Sequence, residues 1–255
     1  MNRGTVSSDM RRALTGRGFM ASAAGMALAI ALASLDGILQ LASSTDPPAA
    51  GTHAELVMKA LSSDWVTLAL PVLCALPYTA AFVEDVKSGF IKQFLHRSSI
   101  RDYIAGKLLA CAVSGGLAIF SGVLLAYALS ALVITPMELT PAQGAKLPPY
   151  FASLIMKAAV LFCSGALWSL VGSAFAALTL NRFMAYASPF IIYYVLIILR
   201  ERYFEALYVL YPKEWLTPSK GWVLGSWGVV IELAVLSAVA ALSFALAARK
   251  RLANV

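Results

Sequence analysis

Residues Gly106–Ile134 read GKLLACAVSGGLAIFSGVLLAYALSALVI, a run in which Lys107 is the only charged side chain. A bilayer core of roughly 30 Å needs about 20 predominantly apolar residues per helix, so this run is long enough to cross it. Five further runs resemble it: Phe19–Ala42, Val66–Phe82, Phe151–Leu178, Ala185–Leu199 and Trp222–Ala248. The predicted fold is therefore an all-α polytopic membrane protein of six transmembrane helices, with residues 1–255 forming one transmembrane domain. The composition agrees. Of 255 residues 60% are hydrophobic and 13% charged, with a mean hydropathy of +0.77, more apolar than a water-soluble domain requires.

The net charge of +7 is informative through its placement. Lys and Arg lie mostly between and beside the apolar runs, a pattern of membrane orientation and not of nucleic-acid binding. Thirteen of the 20 fall in the N-terminal segment, the 83–107 loop, the 179–184 loop and the C-terminus, against six in the alternate loops. The positive-inside rule then places both termini in the cytoplasm. The basic residues ahead of Phe19 resemble the start of a secretory signal, but the run behind them is too long, so an uncleaved first span is expected. Trp65, Trp215, Trp222 and Tyr150 are expected at the outer interface as aromatic-belt residues. Cys74, Cys111 and Cys163 lie within apolar runs without CxxC spacing and read as reduced core residues.

The stretch Glu84-Asp85-Val86-Lys87-Ser88-Gly89-Phe90-Ile91-Lys92-Gln93-Phe94-Leu95-His96-Arg97, between the second and third runs, has a different pattern. Val86, Phe90, Ile91, Phe94 and Leu95 recur at helical offsets while charged residues fill other positions, predicting an amphipathic helix over 84–97. Ser99 and Asp102 stand at capping-box spacing and restart a helix that runs through Lys107. Periodicity alone leaves two readings open, a helix lying on lipid headgroups or one docked on a protein.

Glu84, Gly89, a Ser/Arg turn at Ser99 and Arg101, and then Tyr103-x-x-x-Lys107 together resemble the signature of ABC-2 type transporter permeases, nearest to the small bacterial bacitracin- and lantibiotic-export permeases. The turn lacks the proline usual in that family and reads Arg97-Ser98-Ser99 instead. The resemblance implies a permease subunit in the cell inner membrane, paired with a second permease copy and with two copies of a separate ATPase subunit that carries the ATP and Mg. It implies export of an amphipathic peptide, lipid or drug-like molecule. It also makes 84–97 a coupling helix seated on the ATPase, with Glu84, Val86, Gly89, Phe90, Ile91, Phe94, Arg97 and Arg101 at that interface. In the family, an outer hairpin before the last span covers the export path. Here the 200–221 stretch is apolar and aromatic, consistent with re-entrant or interfacial helices that Pro212 and Pro218 would end, or with simple headgroup anchoring.

Charges inside spans are costly, about 2.5–3.5 kcal/mol at the bilayer centre on insertion scales. Asp36 and Lys157 lie near span ends, where they can reach the interface. Glu232 is placed about ten residues into the last span and is expected to be protonated or paired, with Lys157 the candidate partner at similar depth. Pro71, Pro77 and Pro189 remove backbone donors and predict kinked helices. Gly115, Gly116, Gly122, Ser164, Gly165, Gly172 and Ser173 would allow close helix approach. The chain shows no zinc-protease motif, phosphate-binding loop or dinucleotide fingerprint, so it is expected to be no enzyme, with no cofactor or metal of its own. Two other readings remain, an ion-driven carrier or channel without an ATPase and a non-transporting membrane anchor.

Overall fold

The computed structural model describes residues 3–44, 46–91, 99–139, 150–204, 208–216, 222 and 226–253. Among these residues the chain is all helix and connecting turns. It begins with a polar helix α1 (Arg3–Thr15), which meets the apolar α2 (Arg17–Ala33) at a 48° bend. A break at Ser34, whose hydroxyl donates to the Ala31 carbonyl, leads into α3 (Leu35–Ser43). Helices α4 (Thr52–Ala60) and α5 (Asp64–Leu73) form a second bent pair, at 66°. After a non-helical stretch comes the short α6 (Ala81–Lys87), then α7 (Ile100–Ile134), α8 (Tyr150–Thr179), α9 (Arg182–Arg202), α10 (Pro212–Leu216) and α11 (Ser226–Leu252).

Four of these helices, α7, α8, α9 and α11, are long and apolar enough to cross a membrane, and the two bent pairs raise the number to as many as six if each is one span. The protein is thus a helical membrane protein. The single run Val66–Phe82 corresponds to more than one element. Helix α5 runs on through Pro71 and ends at Leu73, and Pro77 lies in the non-helical stretch before α6, so the second run is broken and not merely kinked. Pro189 sits inside an unbroken α9, its ring against Gly172 of α8. Helix α7 starts earlier than its apolar run because the Ser99 hydroxyl accepts from the Asp102 amide at 3.1 Å, which adds a polar first turn.

Helices α7 and α8 form the centre, with α2 and α1 against α7, and α9 and α11 against α8. Small residues make this closeness possible. A methyl on Gly115 would overlap the Ser169 hydroxyl of α8, and one on Gly122 would come within 2.7 Å of the Ala23 carbonyl of α2. The Ser169 hydroxyl donates to the Cys74 carbonyl at 2.6 Å, satisfying an acceptor exposed where α5 ends. The three cysteines are free, with Cys74 and Cys111 buried.

Side-chain contacts define two ends. Arg251 donates to the Leu178 carbonyl at 2.8 Å, and Lys107 pairs with Asp9. The C-termini of α8 and α11 therefore share with α1, α6 and the start of α7 one end rich in Arg and Lys, called here the basic end. The opposite end gathers α4, the close of α7, the start of α8, the end of α9 and α10, tied by Lys157 to Ser62 at 2.8 Å and Lys213 to Asp64 at 2.8 Å.

Several expectations change. No continuous helix covers 84–97. Helix α6 ends at Lys87, and Gly89 adopts φ +73°, a left-handed conformation that suits glycine and stops the helix before Phe90. Phe94 and Arg97 lie outside the described residues. Trp215 is not a belt residue. It is 1% exposed and packs on Trp168, their ring centroids 6.2 Å apart. Pro212 starts a helix instead of ending one, as its fixed φ favours.

Candidate functional site

Lys107 sits two turns into α7, where the polar first turn gives way to the apolar run, and its side chain is 4% exposed. An ammonium so placed must be compensated, and every one of its donors is. The Nζ contacts Asp85 Oδ2 at 2.7 Å and Asp9 Oδ1 at 2.9 Å, and donates to the Tyr78 hydroxyl at 2.8 Å. The surrounding groups are themselves bonded. The Tyr78 hydroxyl donates to Asp9 Oδ1 at 2.6 Å, and the Tyr103 hydroxyl to Asp85 Oδ2 at 2.9 Å. Arg12 completes the group, giving Nη1 to Asp85 Oδ1 at 3.0 Å and Nη2 to Glu84 Oε2 at 3.3 Å. The ammonium also lies 4.9 Å from the Tyr78 ring centre and 5.4 Å from that of Tyr103, within cation–π range.

The elements deliver these groups by simple periodicity. Tyr103 and Lys107 are four apart and share a face of α7, and Asp9 and Arg12 are three apart on α1. Asp85 points inward from α6, buried, while its neighbour Glu84 is half exposed. Gly106 lets α1 approach, since a methyl there would come within 3.1 Å of the Asp9 carboxylate. The outcome is a closed network joining α1, the Tyr78 turn, α6 and α7. Removing one member of such a buried pair costs about 3–5 kcal/mol, because the other charge is left without compensation.

The residues singled out from sequence divide around this network. Glu84, Tyr103 and Lys107 belong to it. Val86 is half-buried and Ile91 buried in the neighbouring apolar cluster, whereas Phe90, 46% exposed, and Arg101 reach the surface. Sequence reasoning missed Asp9, Tyr78 and Asp85. The available signal was Lys107, which was counted with the loop charges although it lies inside the apolar run. The mid-span pairing of Glu232 with Lys157 is not formed among the described residues, since Lys157 donates to Ser62 instead. Helix α11 begins at Ser226, so Glu232 is six residues from its start, about 9 Å at the helical rise, and half-buried.

A second polar cluster lies at the opposite end. Glu138 accepts from the amides of Gly51 at 2.9 Å and His53 at 2.7 Å, and its carboxylate meets the His53 ring nitrogen Nδ1 at 2.9 Å. The other ring nitrogen is 3.4 Å from the Tyr127 hydroxyl. Burial pushes the Glu138 carboxyl up, but the His53 and Gly51 amides and the His53 ring outweigh it and hold it below its usual value. Among the described residues no group of three or more His, Cys, Asp or Glu side chains is arranged to hold a metal ion.

Fold and site together define an all-α membrane protein with a buried ionic network at its basic end. No protein-family model matches the chain, and no curated protein sequence matches it.

Proposed function

We propose that this chain is the membrane subunit of an ATP-driven exporter of the ABC-2 type, acting with a second permease copy and with two separate ATPase subunits. One observation carries the reading. Tyr103 and Lys107, the tyrosine and lysine of the resembled signature, grip Asp85 directly ahead of the turn at Ser88–Gly89. A force on the exposed Phe90 side of that turn would pass through Asp85 into α7 and α1 together, as rigid-body coupling at an interface requires.

In this reading the basic end is cytoplasmic, the two bent pairs are spans, and the chain crosses the inner membrane six times. The excess of Arg and Lys at that end supports the orientation. The coupling element becomes a helix-turn segment hinged at Gly89 rather than one helix over 84–97. Trp215 and the short α10 supply the inserted outer segment before the last span. The cargo is an amphipathic peptide, lipid or drug-like molecule.

The test is to co-purify the chain with an ATPase subunit in mild detergent and measure hydrolysis by the complex. Phe90→Asp is expected to lower both retained ATPase and hydrolysis at least tenfold, while Lys59→Gln, at the opposite end, leaves both unchanged. A lone oligomer that moves ions down a gradient without an ATPase would overturn the reading. An ion-driven carrier has one observation in its favour, a buried and a partly buried carboxylate around a lysine, but both are already paired with cations.

A further inference from the structure

Where α1 bends into α2, a cavity of about 170 Å³ opens beside the ionic network. Its walls include Arg12 and Gly16 at the bend, Pro77 in the break between α5 and α6, Glu84 of α6 and Tyr186 of α9. The bend is held tightly against that break, because a methyl on Gly18 would collide with the Leu76 carbonyl. The cavity is thus a gap between four chain segments, lined by both polar and apolar side chains.

Its two charged walls differ in kind from the buried centre of the network. Asp85 and Lys107 are each 4% exposed, whereas Arg12 and Glu84 are 52% and 53% exposed, and their ion pair is the longest of the group at 3.3 Å. Such an exposed pair contributes little by itself and can open without disturbing the centre, since Arg12 keeps its second bond to Asp85. A ligand bearing an anion and a cation on one short stem would exchange that weak pair for two. A guanidinium fork suits a phosphate, and Glu84 suits a primary ammonium.

The position says what such a ligand is attached to. The cavity lies where polar α1 gives way to apolar α2 and where α9 begins, and the following residues Met20 and Phe183 are 70% and 67% exposed. Tyr186 presents an apolar ring and a polar tip, as side chains at a membrane–water boundary do. Arg182, one turn before Tyr186 on α9, and Arg17 beside Gly16 are the neighbouring cations in sequence.

We infer that this cavity is a binding site for the headgroup of a zwitterionic aminophospholipid, with its phosphate on Arg12, its ammonium on Glu84, and its acyl chains along the apolar starts of α2 and α9. The site is independent of the transport reading and would hold for a carrier or an anchor equally.

The test uses the full chain, delipidated and reconstituted into nanodiscs of equal parts phosphatidylethanolamine, phosphatidylcholine and phosphatidylglycerol, with retained lipid counted by native mass spectrometry after release into detergent. Phosphatidylethanolamine is expected to be enriched at least fivefold over the other two, since choline has no N–H to give Glu84 and glycerol has no charge. Glu84→Gln should abolish that preference and Glu84→Asp should keep it, while Lys87→Gln, on the same helix but outside the cavity, leaves it intact. Equal retention of the three lipids, or an unchanged preference in Glu84→Gln, would overturn the proposal. Should Glu84→Gln fail to fold, soluble phosphoethanolamine is added to the unaltered protein. Release of the retained phosphatidylethanolamine only at phosphoethanolamine concentrations far above that of the lipid supports a lipid site, and equal affinity for the free headgroup overturns it.

Discussion

The two polar clusters tie the chain together at opposite ends by different means. At the basic end the Asp9 and Asp85 carboxylates are met by the Lys107 and Arg12 side chains from other helices, and the network holds only while both signs are present. At the other end Glu138 is met chiefly by the backbone amides of Gly51 and His53, which carry no charge to lose and no side chain to replace. The first arrangement is strong and brittle, and the second is modest and tolerant. A bundle end asked to transmit movement as a unit gains from the first, whereas one that only fastens two connecting segments needs no more than the second.

The comparison is open to test. Lys107→Met should produce the largest effect, a loss of about 3–5 kcal/mol, because the buried Asp85 is left with Arg12 alone and the partly buried Asp9 loses its cation. Thermal unfolding in detergent measures it, and adding Asp9→Asn and Asp85→Asn to the same variant should recover part of the loss. Full recovery would mean that the network contributes specificity rather than stability. Tyr103→Phe removes one charge-assisted bond to Asp85 and should cost about 1.5–3 kcal/mol by the same assay.

Glu138→Gln should cost less, about 1–2 kcal/mol for one lost amide bond, since Oε2 serves Gly51 and Oε1 serves His53 and the single amide oxygen of glutamine can keep only one of them. Its signature lies in pH. The carboxyl is held below its usual value when folded, so its stabilisation is fully present above the ordinary carboxylate range and is lost as pH falls through the depressed folded value. Hydrogen exchange of α4 should therefore rise on acidification in the native protein and lose that dependence in Glu138→Gln. The smallest effect is expected at Lys213 and Asp64. The hydrogen bond from Lys213 to Asp64 raises the lysine above its usual value, so its contribution is present below that value and disappears as pH rises through the raised one. The aspartate is 75% exposed, and Asp64→Asn should change stability by under about 1 kcal/mol.

The uncharged runs made the apolar helices legible, because a helix in lipid must carry its apolar residues in an unbroken length. The small residues at Gly115 and Gly122 were legible as places of close approach, though not their neighbours. What escaped was whatever depends on which segments meet. Asp9 read as part of a basic leader, since nothing local marks it as the partner of a lysine 98 positions on. The break after Leu73 was hidden by apolar composition that continues through it to Phe82. Trp215 looked like an interfacial anchor because tryptophan suits both an interface and a core, and only the ring of Trp168 decides between them. Glu84 stood out in the motif, yet the buried member of the pair is Asp85, as the direction of one short helix determines.

The distance along the chain between Asp9 and Lys107 also sets an order of events during synthesis. At about 5–20 residues per second, Lys107 follows Asp9 by roughly 5–20 seconds. Throughout that interval the Asp9 carboxylate has no buried cation to join, and water is the only medium that can hold it. In the proposed orientation, with the basic end cytoplasmic, the first helix would wait on the side of the membrane where it was made while α2 enters, and would dock only once the start of α7 has emerged. Orientation would then be established by retention of an acid awaiting its base as well as by the arginines around it.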